Sequence, residues 1–189
     1  MAVCVSEPLL VKSGFACAGK SDENDTFRNS CHDEIVNEEQ NKAVMRRFIE
    51  EMWNQRKLEV VDELFAPDCI THQLRGEADV GGFPRSPASI KHEAAAWLAG
   101  FPDLRFDLEQ MIAVGDEVVS RYTMHGTQTG SWIGVPSSGK TVRVPMITIH
   151  RIRDGKIVED WVLVGTLVLF QQLGFVSDTT QIIAAASAR

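Results

Sequence analysis

The chain has 189 residues, 44% of them apolar, and a formal net charge of −7. That length fits one domain with an extension and can bury a sizeable core. The acidic balance argues against a nucleic-acid-backbone surface, which would be basic, and no run approaches the roughly 18 apolar residues of a membrane-spanning helix.

Cys4, Cys17 and Cys31 fall in the first forty residues, and Cys69 follows. Their spacing matches no zinc pattern, and free thiols in a reducing, cytoplasmic setting fit better than a disulfide framework. Met1 to Gly19 lacks a basic n-region and a continuous apolar core, and Glu7 and Pro8 interrupt it, so it does not read as a signal peptide. Ser21 to Ser30 is mostly polar and acidic. Residues 1–36 are expected to form a mostly disordered leader, 37–176 the domain and 177–189 a C-terminal tail.

The first helix is marked by Val44, Met45, Phe48, Ile49, Met52 and Trp53, one apolar stripe of helical period. Glu38 and Glu39 favour its start through the helix dipole, and Asn54-Gln55 ends it. A second short helix carries Leu58, Val61, Leu64 and Phe65, with Pro67 as the stop. Leu74 to Ser89, with three glycines and two prolines, reads as a long loop, a kind that is often functional. A third helix runs from about Pro87 to Ala99, buries Ile90, Ala94, Trp97 and Leu98, and takes Ser86 or Ser89 as its cap.

Strands follow. Leu104, Phe106 and Leu108 alternate with Arg105, Asp107 and Glu109, the period of a half-buried strand. Val118 to Thr127, Val142 to Ile152 and Ile157 to Val164 continue the sheet. Asp154-Gly155 between the last two is a hairpin signal. Leu167 to Leu173 reads as a final short helix.

The ordered set Asn41-Lys42-Ala43-Val44-Met45-Arg46-Arg47-Phe48, Trp53-Asn54-Gln55, Leu64-Phe65-Ala66-Pro67-Asp68, Thr71-His72, Phe101-Pro102-Asp103-Leu104 and Val114-Gly115-Asp116 resembles a known family. The turn clusters from Gly126 to Gly155 and the closing Gly155-Lys156-Ile157-Val158-Glu159-Asp160-Trp161 and Gln171-Gln172-Leu173-Gly174 extend the likeness. Over about residues 38–175 the chain resembles a SnoaL-like polyketide cyclase (ester cyclase) domain of the nuclear transport factor 2-like superfamily. The resemblance implies an α+β cone, a curved antiparallel sheet packed against three N-terminal helices. It also implies a deep pocket, no cofactor, a small-molecule ligand and a homodimer formed through the sheet's other face.

For chemistry, His72, His125 and His150 fall where the resemblance puts pocket residues, and histidine titrates near neutrality. Each of them taken alone also fits as a core or surface residue. His92, between Lys91 and Glu93, reads as exposed, and His32 lies in the leader. Strand parity puts Val119, Arg121, Thr123 and His125 on one face, Met146, Thr148 and His150 on one face, and Asp160, Val162 and Val164 on one face; which faces look inward is left open. Arg121 is either an ion-paired arginine or a clamp for a carboxylate or enolate oxygen. Trp53, Phe83, Trp97, Phe101, Trp132 and Trp161 are candidates to line an apolar pocket, with Trp132 at its lip or at an interface. The histidines lack zinc spacing, so no metal is expected.

Cyclases of the family carry an acidic general acid/base on the last strand just past the tryptophan, where relatives read Trp-Asp-Glu-Phe-Asp. This chain reads Trp161-Val162-Leu163-Val164-Gly165 there. The expectation is therefore a pocket protein for a hydrophobic oxygenated small molecule. Its chemistry is acid/base isomerisation or cyclisation of a polyketide-like or terpenoid-like carbonyl compound. His150 and His72 transfer protons and Asp160 supplies the carboxylate; Arg121, His125, Trp53, Trp97, Phe101, Met146 and Trp161 contact the ligand. The alternatives are a non-catalytic binding or dimerisation module, in which apolar Val162 to Val164 fill the cone, and an epoxide hydrolase-like activity, which that apolar run disfavours.

Overall fold

The computed structural model describes residues 37–74 and 81–188. The expected leader, with Cys4, Cys17, Cys31 and His32, lies outside them. In helix α1, residues 37–47 are α-helical and Phe48–Asn54 continue as π-helix. Met45, Phe48, Ile49 and Met52 are buried, with Val44 and Trp53 packed beside them. The wider turn brings Phe48, Met52 and Trp53 onto one wall, and such bulges are frequent at functional sites. Arg56, at φ 62°, ends the run. The Asn54 side chain then pairs with the next layer: it accepts from the Phe106 N–H at 2.8 Å and donates to the Phe106 carbonyl at 3.0 Å.

A 3₁₀ turn, Leu58–Val60, leads into α2, Val61–Leu64. The chain then enters strand β1, Phe65–Gln73, directly. Pro67 thus sits early in a strand and not at a helix stop. The register of β1 is irregular between Phe65 and Ile70, the stretch holding Pro67, which has no N–H to give a ladder. Strand β2, Phe83–Arg85, lies within the segment expected to be all loop. Helix α3, Pro87–Gly100, starts as anticipated: the Ser89 N–H donates to Ser86 Oγ, and Pro87 occupies the first turn, where its missing N–H costs nothing.

Strands β3 (Arg105–Val114), β4 (Glu117–Thr127), β5 (Thr141–Arg153) and β6 (Lys156–Val164) form an antiparallel meander. The sheet order is β2-β1-β6-β5-β4-β3. The β1–β6 pair is parallel, the one exception to the antiparallel expectation among the described strands. Register shifts at Leu108/Gln110 and at Arg151/Ile152 bend the sheet. Asp154 and Gly155, both at positive φ, make the β5–β6 hairpin turn. Helix α4 (Thr166–Leu173) returns along β5, and Gly174 at φ 80° caps it. Helix α5 (Thr179–Ser187) has an Asp178/Gln181 capping box and no buried residue, which puts an ordered turn signal in the expected tail.

Candidate active site

The covered face of the sheet carries Tyr122 and Met124 on β4, Met146, Thr148 and His150 on β5, and Asp160, Val162 and Val164 on β6. These rows follow from strand alternation and from register: His150 pairs with Asp160, Thr148 with Val162, Met146 with Val164. Phe48, Met52 and Trp53 of α1, Ile90, Ala94 and Trp97 of α3, and Leu169 and Phe170 of α4 roof them, enclosing a cavity of about 340 Å³. Gln73, Arg85 and Glu93 also line it.

Most of the wall is apolar, so the polar groups on it are conspicuous. His150 and Asp160 are 1% and 3% exposed, with Nε2 and Oδ2 4.0 Å apart. Burial lowers His150 to about 3, so the imidazole stays neutral. Burial pushes Asp160 up to about 6, opposed by the neighbouring Thr71 hydroxyl and by the positive field of Arg85. Burial also raises the Tyr122 phenol, which remains a donor at neutral pH. His150 Nδ1, Asp160 Oδ1 and Thr148 Oγ1 have no hydrogen-bond partner among the described residues. A carboxyl that titrates near neutrality inside an apolar cavity is suited to move protons.

Among the expected site residues, His150, Asp160, Trp53, Trp97 and Met146 share this wall. The others do not. Arg121 lies on the opposite sheet face, ion-paired with Glu109, and His125 Nε2 is 3.0 Å from Asp107 Oδ2 on that same face. His72 and Trp161 are register partners on the outer side of β1 and β6, where their rings stack at 4.9 Å; His72 pairs with Glu159, and Arg151 lies over the Trp161 ring. These four are displaced by strand parity, since each neighbours a residue that points inward. Phe101 is fully buried behind the wall, packed on Trp97 and Trp132. Phe83 is exposed and His92 is exposed. Trp132 does reach the cavity, on a loop that turns through Ile133 at φ 45° and Gly134 at φ 80°.

Tyr122, Gln73, Arg85 and Glu93 were not anticipated, and Thr148 was grouped with His150 without a role. Tyr122 had a signal: it is the chain's one tyrosine, in a strand, next to Arg121. The apolar Val162 and Val164 do line the wall, yet Asp160 stands on the same row, two residues earlier. The row therefore keeps a carboxylate, about 7 Å along the strand from Val162. Among the described residues, no group of three or more His, Cys, Asp or Glu is placed to hold a metal ion, and no helix is long and apolar enough to cross a membrane.

Fold and cavity together define a small-ligand pocket protein of the α+β cone type. Residues 43–173 match the family model for the SnoaL-like polyketide cyclase, and the chain belongs to that family. Solved structures agree. A proposed SnoaL-like polyketide cyclase from Jannaschia sp. CCS1 is 25% identical with TM-score 0.64, over 72% of this chain and 92% of its own. IdmH, a proposed polyketide cyclase from Streptomyces antibioticus, is 30% identical with TM-score 0.61, over 71% and 99%. AclR, a proposed hydroxylase from Streptomyces galilaeus, is 26% identical with TM-score 0.66, over 80% and 91%. None of the curated proteins matches the sequence.

Proposed function

We propose that the protein is a cofactor-independent acid/base catalyst of cyclisation or isomerisation, acting on an apolar, oxygenated carbonyl compound. The observation that carries this reading is Asp160: a buried carboxyl raised to about 6, on the wall of an apolar cavity. Ionised, it removes a proton from the carbon beside a carbonyl. The C–H electron pair becomes the enolate C=C bond and the carbonyl π pair moves to oxygen. In a cyclisation the enolate carbon then attacks a second carbonyl carbon, and the new alkoxide takes the proton from Asp160. His150 stays neutral, and the Tyr122 hydroxyl donates to a ligand oxygen. The assignment of relatives as polyketide cyclases supports the substrate class, because polyketide chains carry such carbonyl groups.

The test is deuterium uptake at the α-carbon of 2-tetralone in heavy water, followed by NMR. The wild type should accelerate exchange, and Asp160→Asn should lose about 10²–10⁴-fold of the acceleration. Binding of 2-tetralone without any acceleration would favour a non-catalytic binding module.

A second copy of this chain is proposed for the outer sheet face. Ile112, Val119, Ile147 and Leu163 are 37–49% exposed there. They adjoin by register, Ile112 opposite Val119 and Ile147 opposite Leu163. A contiguous apolar surface of this kind marks an interaction site.

A further inference from the structure

The arginine clamp expected at position 121 is absent from the cavity, yet the cavity does hold an arginine. Arg85, on the short strand β2, lines the wall together with Glu93 of α3. Its side chain is only 13% exposed. Among the described residues it makes one side-chain hydrogen bond: Nη2 donates to Glu93 Oε2 at 2.8 Å. Neither Nε nor Nη1 has a hydrogen-bond partner among the described residues, and neither is sealed away in the packing as an orphan. A guanidinium carries five N–H donors in a fixed plane. Glu93, 42% exposed, holds one edge of that plane and leaves the other edge unclaimed. The same arginine lies close enough to Asp160 for its charge to act on the carboxyl.

We infer that Arg85 is a catalytic residue that binds the ligand's carbonyl oxygen and carries the negative charge formed there when Asp160 removes the neighbouring proton. The inference rests on the acid/base reading of Asp160 and adds the group that reading lacks. A general base in an apolar pocket generates an enolate oxygen in a medium that solvates it poorly, so a preorganised cation is needed at that oxygen. The free guanidinium edge supplies N–H donors and positive charge to the oxygen where charge develops. The Glu93 contact fixes the plane, so the unclaimed N–H groups are oriented before the ligand arrives. The ligand class follows. It has one carbonyl oxygen for Arg85, an acidic C–H beside it for Asp160, and an apolar ring system for the aromatic wall.

The experiment uses the full chain with 2-tetralone and its hydrocarbon counterpart tetralin. Calorimetry gives both affinities, and exchange in heavy water gives the rate, for wild type, Arg85→Gln, Arg85→Lys and Glu93→Gln. Wild type should prefer 2-tetralone over tetralin. Arg85→Gln should lose that preference and lose about 10²–10³-fold in exchange rate while binding tetralin as before. Arg85→Lys should recover part of the rate, because it restores charge without the fork. Glu93→Gln keeps an oxygen that can accept from Nη2 and removes the charge that offsets the guanidinium, so it should tighten 2-tetralone binding severalfold. This variant keeps the inference testable if Arg85→Gln does not fold. Asp160→Asn separates the two claims: loss of exchange there, with Arg85→Gln unchanged in rate and preference, would overturn the role of Arg85 and leave that of Asp160 standing. Failure of the wild type to bind either compound would overturn both.

Discussion

His150 and Asp160 are register partners across β5 and β6, their Nε2 and Oδ2 4.0 Å apart, and burial drives their proton affinities in opposite directions. Each resists charge in the same apolar setting, so the imidazole gives up its proton and the carboxyl retains one. Between about pH 3 and 6 both are neutral; above that Asp160 carries the charge. The pair therefore offers one titrating group near neutrality, and that group is the carboxyl.

The same pair sets the pH dependence of stability. Unfolded, Asp160 ionises near 3.8; folded, near 6. Between those values only the folded chain holds this proton, so the contribution of Asp160 falls as pH rises through the window. His150 shows the reverse. Its unfolded form binds a proton below 6.5, which the folded form refuses down to about 3, so its contribution rises with pH across that range. In wild type the two slopes offset. Asp160→Asn should rise steeply in stability from pH 4 to 6.5 and exceed wild type by up to about 2–3 kcal/mol at pH 8. Urea unfolding across pH reads this directly, and a variant profile parallel to wild type would count against it.

Trp161→Ala should cost only about 1–2 kcal/mol, less than the roughly 3–5 kcal/mol of a buried tryptophan. The ring is half-buried on the outer face, held by the His72 stack and by Arg151. A loss of 4 kcal/mol or more in denaturant unfolding would place it in a sealed interface.

Ile147→Glu should separate the copies. It puts a charge at the middle of the outer apolar rows, directly beside Leu163. Light scattering should give a dimer for wild type at micromolar concentration and a monomer for the variant. A monomeric wild type would contradict the proposed pairing.

Gly130→Ala should destabilise by roughly 1–3 kcal/mol. A Cβ there would overlap the Ala99 carbonyl, and the Gly130 N–H donates to the Gly100 carbonyl at 3.1 Å. Trp132 packs against Gly100 in the same junction, so the variant should also displace this cavity residue. An unchanged thermal midpoint would show that the loop moves aside freely.

Local signals in the sequence carried most of the fold. The α1 stripe from Met45 to Met52, the Ser86 cap and the Asp154-Gly155 turn depend on neighbours a few residues away, and each was legible. Strand β1 was not, because Phe65 to Gln73 owes its state to parallel pairing with β6, some ninety residues on, and Pro67 reads locally as a helix stop. The site divided along the same line. Parity correctly grouped Met146 with His150 and Asp160 with Val162, but which face looks inward depends on where the helices land. Arg121 and His125 therefore came out on the wrong side of the sheet, with Tyr122 between them facing the cavity. Arg85 was illegible because the loop around it shows no periodicity, and only the fold brings it to the cavity wall that carries Asp160.

The most direct measurement is a ¹³C NMR titration of the Asp160 carboxyl, assigned by its absence in Asp160→Asn. The account predicts an apparent pKa near 6, set by burial in the cavity wall. A value at or below about 4, that of an ordinary solvated aspartate, would contradict the assignment of Asp160 as the group that moves the proton.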